Sequence, residues 1–166
     1  MKQWKIGLLA LVAGAGMAGG VQAGEAEIHF QPLDQYRDLG RTTVEREDIQ
    51  KSLSEHFQKL AAARLPAGQT LKIDLLEINR AGEMDMRHGM PDEVRVLREV
   101  TWPQMDFTFV VVEGGKELKS GKAALSDMNY LHGTSARYND GDPLRYEKPM
   151  IDKWFDTEFG KKTAAR

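Results

Sequence analysis

The 166-residue chain contains no cysteine, and that absence removes several chemistries at once. No disulfide can brace the protein, no thiol can act as a nucleophile, and no cysteine is present to carry the lipid of a lipoprotein. An excess of positive charge is missing as well. The 23 Lys and Arg residues stand against 25 Asp and Glu, a formal net charge of −2, whereas a nucleic-acid binder usually shows a basic patch or stripe. Lys161, Lys162 and Arg166 form only a short basic tail of the kind that frays. No apolar run reaches the roughly 20 residues that span a bilayer. Beyond Gly24 there is neither an internal repeat nor a low-complexity tract. The HExxH zinc motif, the P-loop, the dinucleotide-binding glycines and the glycine elbow of a serine hydrolase are all missing.

What is there begins with export. Lys2 and Lys5 flank a short basic start, an apolar run follows from Ile6 to Ala18, and Val21-Gln22-Ala23 places small or apolar residues where a signal peptidase reads. That order is a secretory signal peptide, and cleavage is expected after Ala23. Gly14, Gly16, Gly19 and Gly20 interrupt the run and argue against a retained anchor. Residues 1–23 are therefore read as signal peptide and residues 24–166 as one domain with no transmembrane anchor once the signal is removed. Loss of Lys2 and Lys5 leaves 21 basic against 25 acidic residues, a net charge of −4. A chain of 143 residues buries roughly two thirds of its unfolded surface, enough for one core held by packing alone.

Ala26 to Phe30 alternates and predicts a strand. Thr42 followed by Glu45 is a capping box. Behind it Ile49, Leu53, Phe57 and Leu60 recur at helical spacing, so residues 43 to 64 form an amphipathic helix ended by Pro66 and Gly68. Leu71 to Leu75 alternates as a strand, and the parity switch at Leu76 and Ile78 signals a bulge or burial on both faces. Residues 80 to 92 read as a loop. Val94 to Leu97 is a short strand, Met105 to Val112 the strongest one, and Gly114-Gly115 suit a type I′ hairpin into a return strand. In that strand Gly121 marks a second bulge. After a polar loop, Asp142 caps a last helix with Pro143 at its first position. Leu144, Ile151, Trp154, Phe155 and Phe159 supply that helix's core face. The order strand, helix, four strands, helix is an α+β fold: a mostly antiparallel sheet of about five strands with two amphipathic helices on one face. The first two strands are expected to be parallel neighbours joined by a right-handed crossover.

Two segments carry chemistry. Met84, Met86, His88 and Met90 place four soft donors at alternate positions, the ligand set of a Cu(I) site. Gap-filling methionines beside a solvated histidine explain the same residues without copper. The second segment is the loop from Asp127 to Asp142 with the start of the last helix: Asp127, Asn129, Tyr130, Asp142, Arg145 and Glu147. Asp127, Asn129, Asp140 and Asp142 are hard donors for Ca²⁺ or Mg²⁺, although the calcium-loop spacing is absent. Alternatively Asp142 caps a helix and Arg145 pairs with a loop carboxylate such as Asp127, pinning the loop. The four histidines, His29, His56, His88 and His132, have no partner in the sequence that would make one a base. A pair of carboxylates brought together by folding keeps a hydrolase-type enzyme open as an alternative.

Several stretches together resemble one family. Leu65-Pro66-Ala67-Gly68-Gln69-Thr70-Leu71, Ala81-Gly82-Glu83, and Val94-Arg95-Val96-Leu97-Arg98 before Trp102-Pro103 occur in its order. So do Ser126-Asp127-Met128-Asn129-Tyr130-Leu131 and Asp142-Pro143-Leu144-Arg145-Tyr146-Glu147-Lys148 leading to Trp154-Phe155. The chain is similar to the domain of unknown function 3016 family, exported proteins of Gram-negative bacteria. The resemblance implies a periplasmic location and one compact domain, and it implies no activity, substrate or cofactor. The function expected is that of a non-enzymatic periplasmic binding or envelope accessory protein. Its partner would be an envelope protein or a small ligand, and no cofactor is expected unless copper binds the Met/His loop.

Overall fold

The structure, a computed structural model, describes residues 23–32, 35–85, 94–132 and 141–160. Six strands and two helices lie among them: β1 (Glu25–Phe30), α1 (Thr43–Arg64), β2 (Gln69–Asn79), β3 (Glu83–Asp85), β4 (Val94–Val96), β5 (Gln104–Glu113), β6 (Lys116–Ser126) and α2 (Glu147–Phe159). The main sheet runs β1-β2-β5-β6, with β1 and β2 parallel and the other pairs antiparallel. The fold is α+β, with α1 as the crossover between the parallel pair.

The sheet's two faces follow from its alternation. Leu71, Ile73, Leu75 and Ile78 of β2 and Met105, Phe107, Phe109 and Val111 of β5 point to one face and are buried. The helices supply the other half of the core through Ile49, Leu53, Phe57 and Ala61 of α1 and Ile151, Trp154 and Phe155 of α2. Its centre is aromatic: Trp154 meets Phe107 edge-on at 4.8 Å and Phe109 at 5.2 Å, while Phe57 contacts Phe107 at 5.8 Å. Rings crossed in this way gain about 0.5–1.5 kcal/mol per pair beyond the burial of their area.

Several local expectations are met, and others need correcting. Helix α1 covers residues 43 to 64, and the Thr42 hydroxyl accepts from Glu45 N at 3.1 Å. Glu45 reaches back to Arg41 N rather than to Thr42, so the box closes one residue early. The β2 register shifts between Leu75 and Glu77, as the parity switch requires. Gly114 and Gly115 have φ of 55° and 81°, the left-handed pair of a type I′ turn. By contrast, the β6 irregularity lies opposite Val111 and Val112, where Leu118 is passed over, and not at Gly121. Gly121 is small for a different reason: a Cβ there would sit 2.9 Å from the Phe109 ring.

Part of the expected 80–92 loop is also strand, since β3 pairs with β4 in a two-stranded sheet. Asp142 does not cap α2. It accepts from Leu144 N at 2.9 Å in the turn before the helix, and α2 starts at Glu147 behind Tyr146, which makes no side-chain cap.

One buried phenol ends the parallel ladder. Its last paired residues are Phe30 and Leu75. One step further, the Tyr36 hydroxyl accepts from Gln31 N at 2.7 Å and donates to Leu75 O at 3.0 Å. It therefore stands between two backbone groups that would otherwise face each other unbonded.

Candidate binding groove

Three elements enclose an open groove of about 510 Å³: the end of β6, the turn that follows it and one flank of α2. Its walls are Ala124, Leu125, Ser126 and Asp127 on the strand side, Tyr130 from the turn, and Tyr146, Met150, Lys153, Trp154 and Thr157 on the helix side. The volume falls within the roughly 300–1,000 Å³ range of ligand sites.

Asp127 shapes the turn: its Oδ1 accepts from Asn129 N at 2.9 Å, while Asn129 itself is exposed. This brings Tyr130 inward to 2 % exposure. Tyr130 donates its hydroxyl hydrogen to Arg98 O at 2.8 Å and crosses the Tyr146 ring at 4.9 Å. Arg145 lies over the other aromatic partner, its guanidinium 4.6 Å from the Tyr146 ring centre, and bonds the Tyr146 hydroxyl. Asp127 is thus engaged in an Asx turn and Arg145 in a cation–π pair with Tyr146.

Of the six residues expected to bind, Asp127 and Tyr130 line the groove, and Arg145 supports its wall through Tyr146. Asn129 sits on the turn outside. Asp142 is engaged by Lys148 at 2.5 Å and by its own turn. Glu147 faces inward, 1 % exposed, and its Oε1 accepts from Ala81 N at 2.7 Å. Burial pushes the Glu147 carboxyl above its ordinary range, against the Ala81 bond and the opposing pull of Arg80 and Arg95. Its Oε2 and the Nε of Arg80 are both buried without a hydrogen-bond partner among the described residues.

Arg80 pairs with Glu45 at 2.8 Å, and Arg95 grips Asp38 with both guanidinium nitrogens at 2.7 and 2.9 Å. The Arg41 backbone bond and Arg80 hold the Glu45 carboxyl below its usual value against partial burial. This ionic hub joins the start of both helices to the exit of β2 and to β4.

Met84 lies half-buried on β3, whereas Met86, His88 and Met90 lie outside the described residues, as does Asp140. Among the described residues no group of three or more His, Asp or Glu is placed to hold a metal. A second recess of about 420 Å³ lies at the β1–β2 side of the sheet, lined by Glu27, His29, Lys72, Asp74 and Val110. Its charges answer each other, Lys72 lying 3.4 Å from Glu27.

Sequence reasoning missed Tyr146, Met150, Lys153 and Thr157 as groove residues. Their signal was present: steps of four, three and four place them on one helical flank beside the core face. It also missed the partner of His56. The ring's Nε2 lies 2.9 Å from Asp152 Oδ1 across the helix pair, 96 residues away, a separation that no local pattern encodes.

A family model described as Protein of unknown function (DUF3016) matches residues 24–157. The chain belongs to this family. The match takes in the core positions of α1, those of α2 as far as Phe155, and all the groove residues named above. No curated protein and no solved structure matches the chain. No described helix is long and apolar enough to cross a membrane.

Proposed function

We propose that this DUF3016 member is exported, loses residues 1–23, and works in the periplasm as a single-domain, non-enzymatic binding protein for an envelope component. Its site is the groove between β6 and α2. The observation that carries this reading is the preformed aromatic recess of Tyr130, Tyr146, Met150 and Trp154, held by side chains whose polar groups are already committed. The Tyr130 hydroxyl is bonded to Arg98 O, and Asp127 is held in its turn. Groups tied up in this way keep the shape of the recess. A concave, largely apolar wall with a few fixed polar groups is the usual form of a ligand site. The family match begins at Gly24, the residue expected to lead the mature chain, which supports the export reading.

The test is native mass spectrometry of the protein released from periplasm, compared with a Thr157→Trp variant. Thr157 is exposed on the groove wall, so an indole there fills the groove without disturbing the core. We expect an added mass on the wild type that is absent from the variant at equal melting temperature. A bare wild type, or an added mass that survives Thr157→Trp, overturns the reading.

A further inference from the structure

We propose that Glu147 is a proton-operated latch on the groove: with its carboxyl neutral it fastens the first turn of α2 to the corner that follows β2, and on ionising it lets that turn and the groove wall draw away. This rests on the binding reading above and names a control on the same site. Glu147 opens α2 and directly follows Tyr146, whose ring crosses Tyr130 in the groove wall. Met150, in the same first turn, lines the groove as well. The Glu147 side chain goes into the protein instead: it is buried, and its Oε1 accepts from Ala81 N at 2.7 Å. Ala81 sits in the corner between β2 and β3. Arg95 braces that corner by donating to Ala81 O at 3.3 Å and to Gly82 O at 3.2 Å. One turn of helix therefore carries both a wall of the groove and its fastening to the rest of the fold.

Charge makes the fastening depend on a proton. Two guanidinium groups act on Glu147, Arg80 beyond the end of β2 and Arg95 from β4. Each already has a carboxylate of its own, Glu45 of α1 for Arg80 and Asp38 for Arg95. An ionised Glu147 is thus a third negative charge against two positive ones. Its Oε2 has no hydrogen-bond partner among the described residues, so no hydrogen bond offsets charge on that oxygen. Burying an unpaired charge costs far more than burying a neutral polar group. Burial outweighs the amides of Ala81 and Glu147 and the two arginines, and it raises the carboxyl above its ordinary 4.5. The ionised group gains by reaching water, which it does as the first turn leaves the corner and the Ala81 bond breaks. Leu144, fully buried just before the helix, stays in the core and confines the movement to the turn after it. In the open form the carboxyl has its ordinary value. The open population is therefore smallest below pH 4.5, grows about tenfold per pH unit between 4.5 and the raised closed-state value, and levels off above it.

The experiment is NMR on the purified wild type and on Glu147→Gln, with no ligand present, from below pH 4.5 to neutrality. The signals are the carboxyl carbon shift of Glu147, the exchange of the Ala81 amide corrected for intrinsic base catalysis, and the Overhauser contact between the Tyr130 and Tyr146 rings. In the wild type we expect the carboxyl to titrate above 4.5. Ala81 opening should rise about tenfold per pH unit up to that titration, and the ring contact should weaken in step. The Phe107 amide in the middle of the sheet should keep its protection. Glu147→Gln retains an acceptor for Ala81 N and cannot ionise, so its Ala81 opening and ring contact should not move with pH. A carboxyl that titrates at or below 4.5 overturns the latch, as does Ala81 opening that is flat in the wild type or equally steep in the variant. Ala81 and Phe107 opening together would mean global unfolding, and a ring contact indifferent to pH would separate Glu147 from the groove; either result overturns the inference. The wild-type signals decide the matter if the variant does not fold. Failure of the latch leaves a periplasmic adduct lost on Thr157→Trp in support of the binding reading, and a missing adduct overturns that reading while these signals still report on the latch.

Discussion

Replacing Glu147 by Ala and by Gln separates two contributions of one buried carboxyl. In the wild type Oε1 satisfies the Ala81 N–H, and Oε2 is buried with no hydrogen-bond partner among the described residues. Alanine leaves the N–H orphaned, which costs about 1–3 kcal/mol, and opens a small void worth about 1 kcal/mol more. Glutamine keeps the acceptor and fills the space. Both variants remove the charge, and Arg80 and Arg95 keep Glu45 and Asp38 in both. Glu147→Ala should therefore be about 2–4 kcal/mol less stable than Glu147→Gln.

Burial holds the folded carboxyl above the ordinary value of 4.5. The unfolded chain has that ordinary value, so the stability linked to Glu147 is fully present below pH 4.5 and is lost as pH rises through the raised folded value. The Gln variant has no such loss. It should match or exceed the wild type at pH 7, by a margin that shrinks as pH is lowered toward 4.5. Urea unfolding with unchanged slope m measures both effects. If Gln is as damaging as Ala at pH 7, or if the Gln–wild-type gap does not move with pH, the account of this carboxyl is wrong.

Tyr36→Phe removes the hydroxyl between Gln31 N and Leu75 O and should cost about 1–3 kcal/mol in urea unfolding; a neutral result would mean that the two backbone groups find other partners. Burial lowers the His56 imidazole below its ordinary 6.5, against the pull of Asp152. Its stability contribution is thus fully present above pH 6.5 and is lost as pH falls toward the depressed folded value, a slope that His56→Gln should flatten. Gly121→Ala brings a methyl 2.9 Å from the Phe109 ring and should destabilise by about 1–3 kcal/mol, read as a lower thermal midpoint; an unchanged midpoint would show that the ring gives way freely.

Local pattern carried most of the elements. Helix α1 was legible because its cap, its apolar period and its Pro66-Gly68 stop agree with one another. The hairpin was legible because two adjacent glycines accept positive φ where other residues resist it. The bulge in β2 announced itself as a switch of parity. Strand β3 was not legible, since Glu83-Met84-Asp85 holds no β-branched or aromatic residue to mark so short a strand, as the two valines of β4 do. Asp142 and Gly121 were assigned the commoner role of their residue type, and tertiary neighbours gave each another: a pre-helical turn for Asp142 and an aromatic ring for Gly121.

The candidate site divides in the same way. From the sequence alone come the α+β class, the absence of thiol chemistry, the export signal as an expectation, and the segment on which Asp127, Tyr130 and Arg145 lie. Tertiary structure alone decided that Glu147 faces the core and Lys153 the groove, that His56 meets Asp152, and that β6 is left at the edge of the sheet. The physical reason is range. Periodicity, capping and turn chemistry act over a few residues and are written in neighbouring letters. Burial of a carboxylate, pairing across two helices and the openness of a strand edge depend on which distant segments arrive beside them.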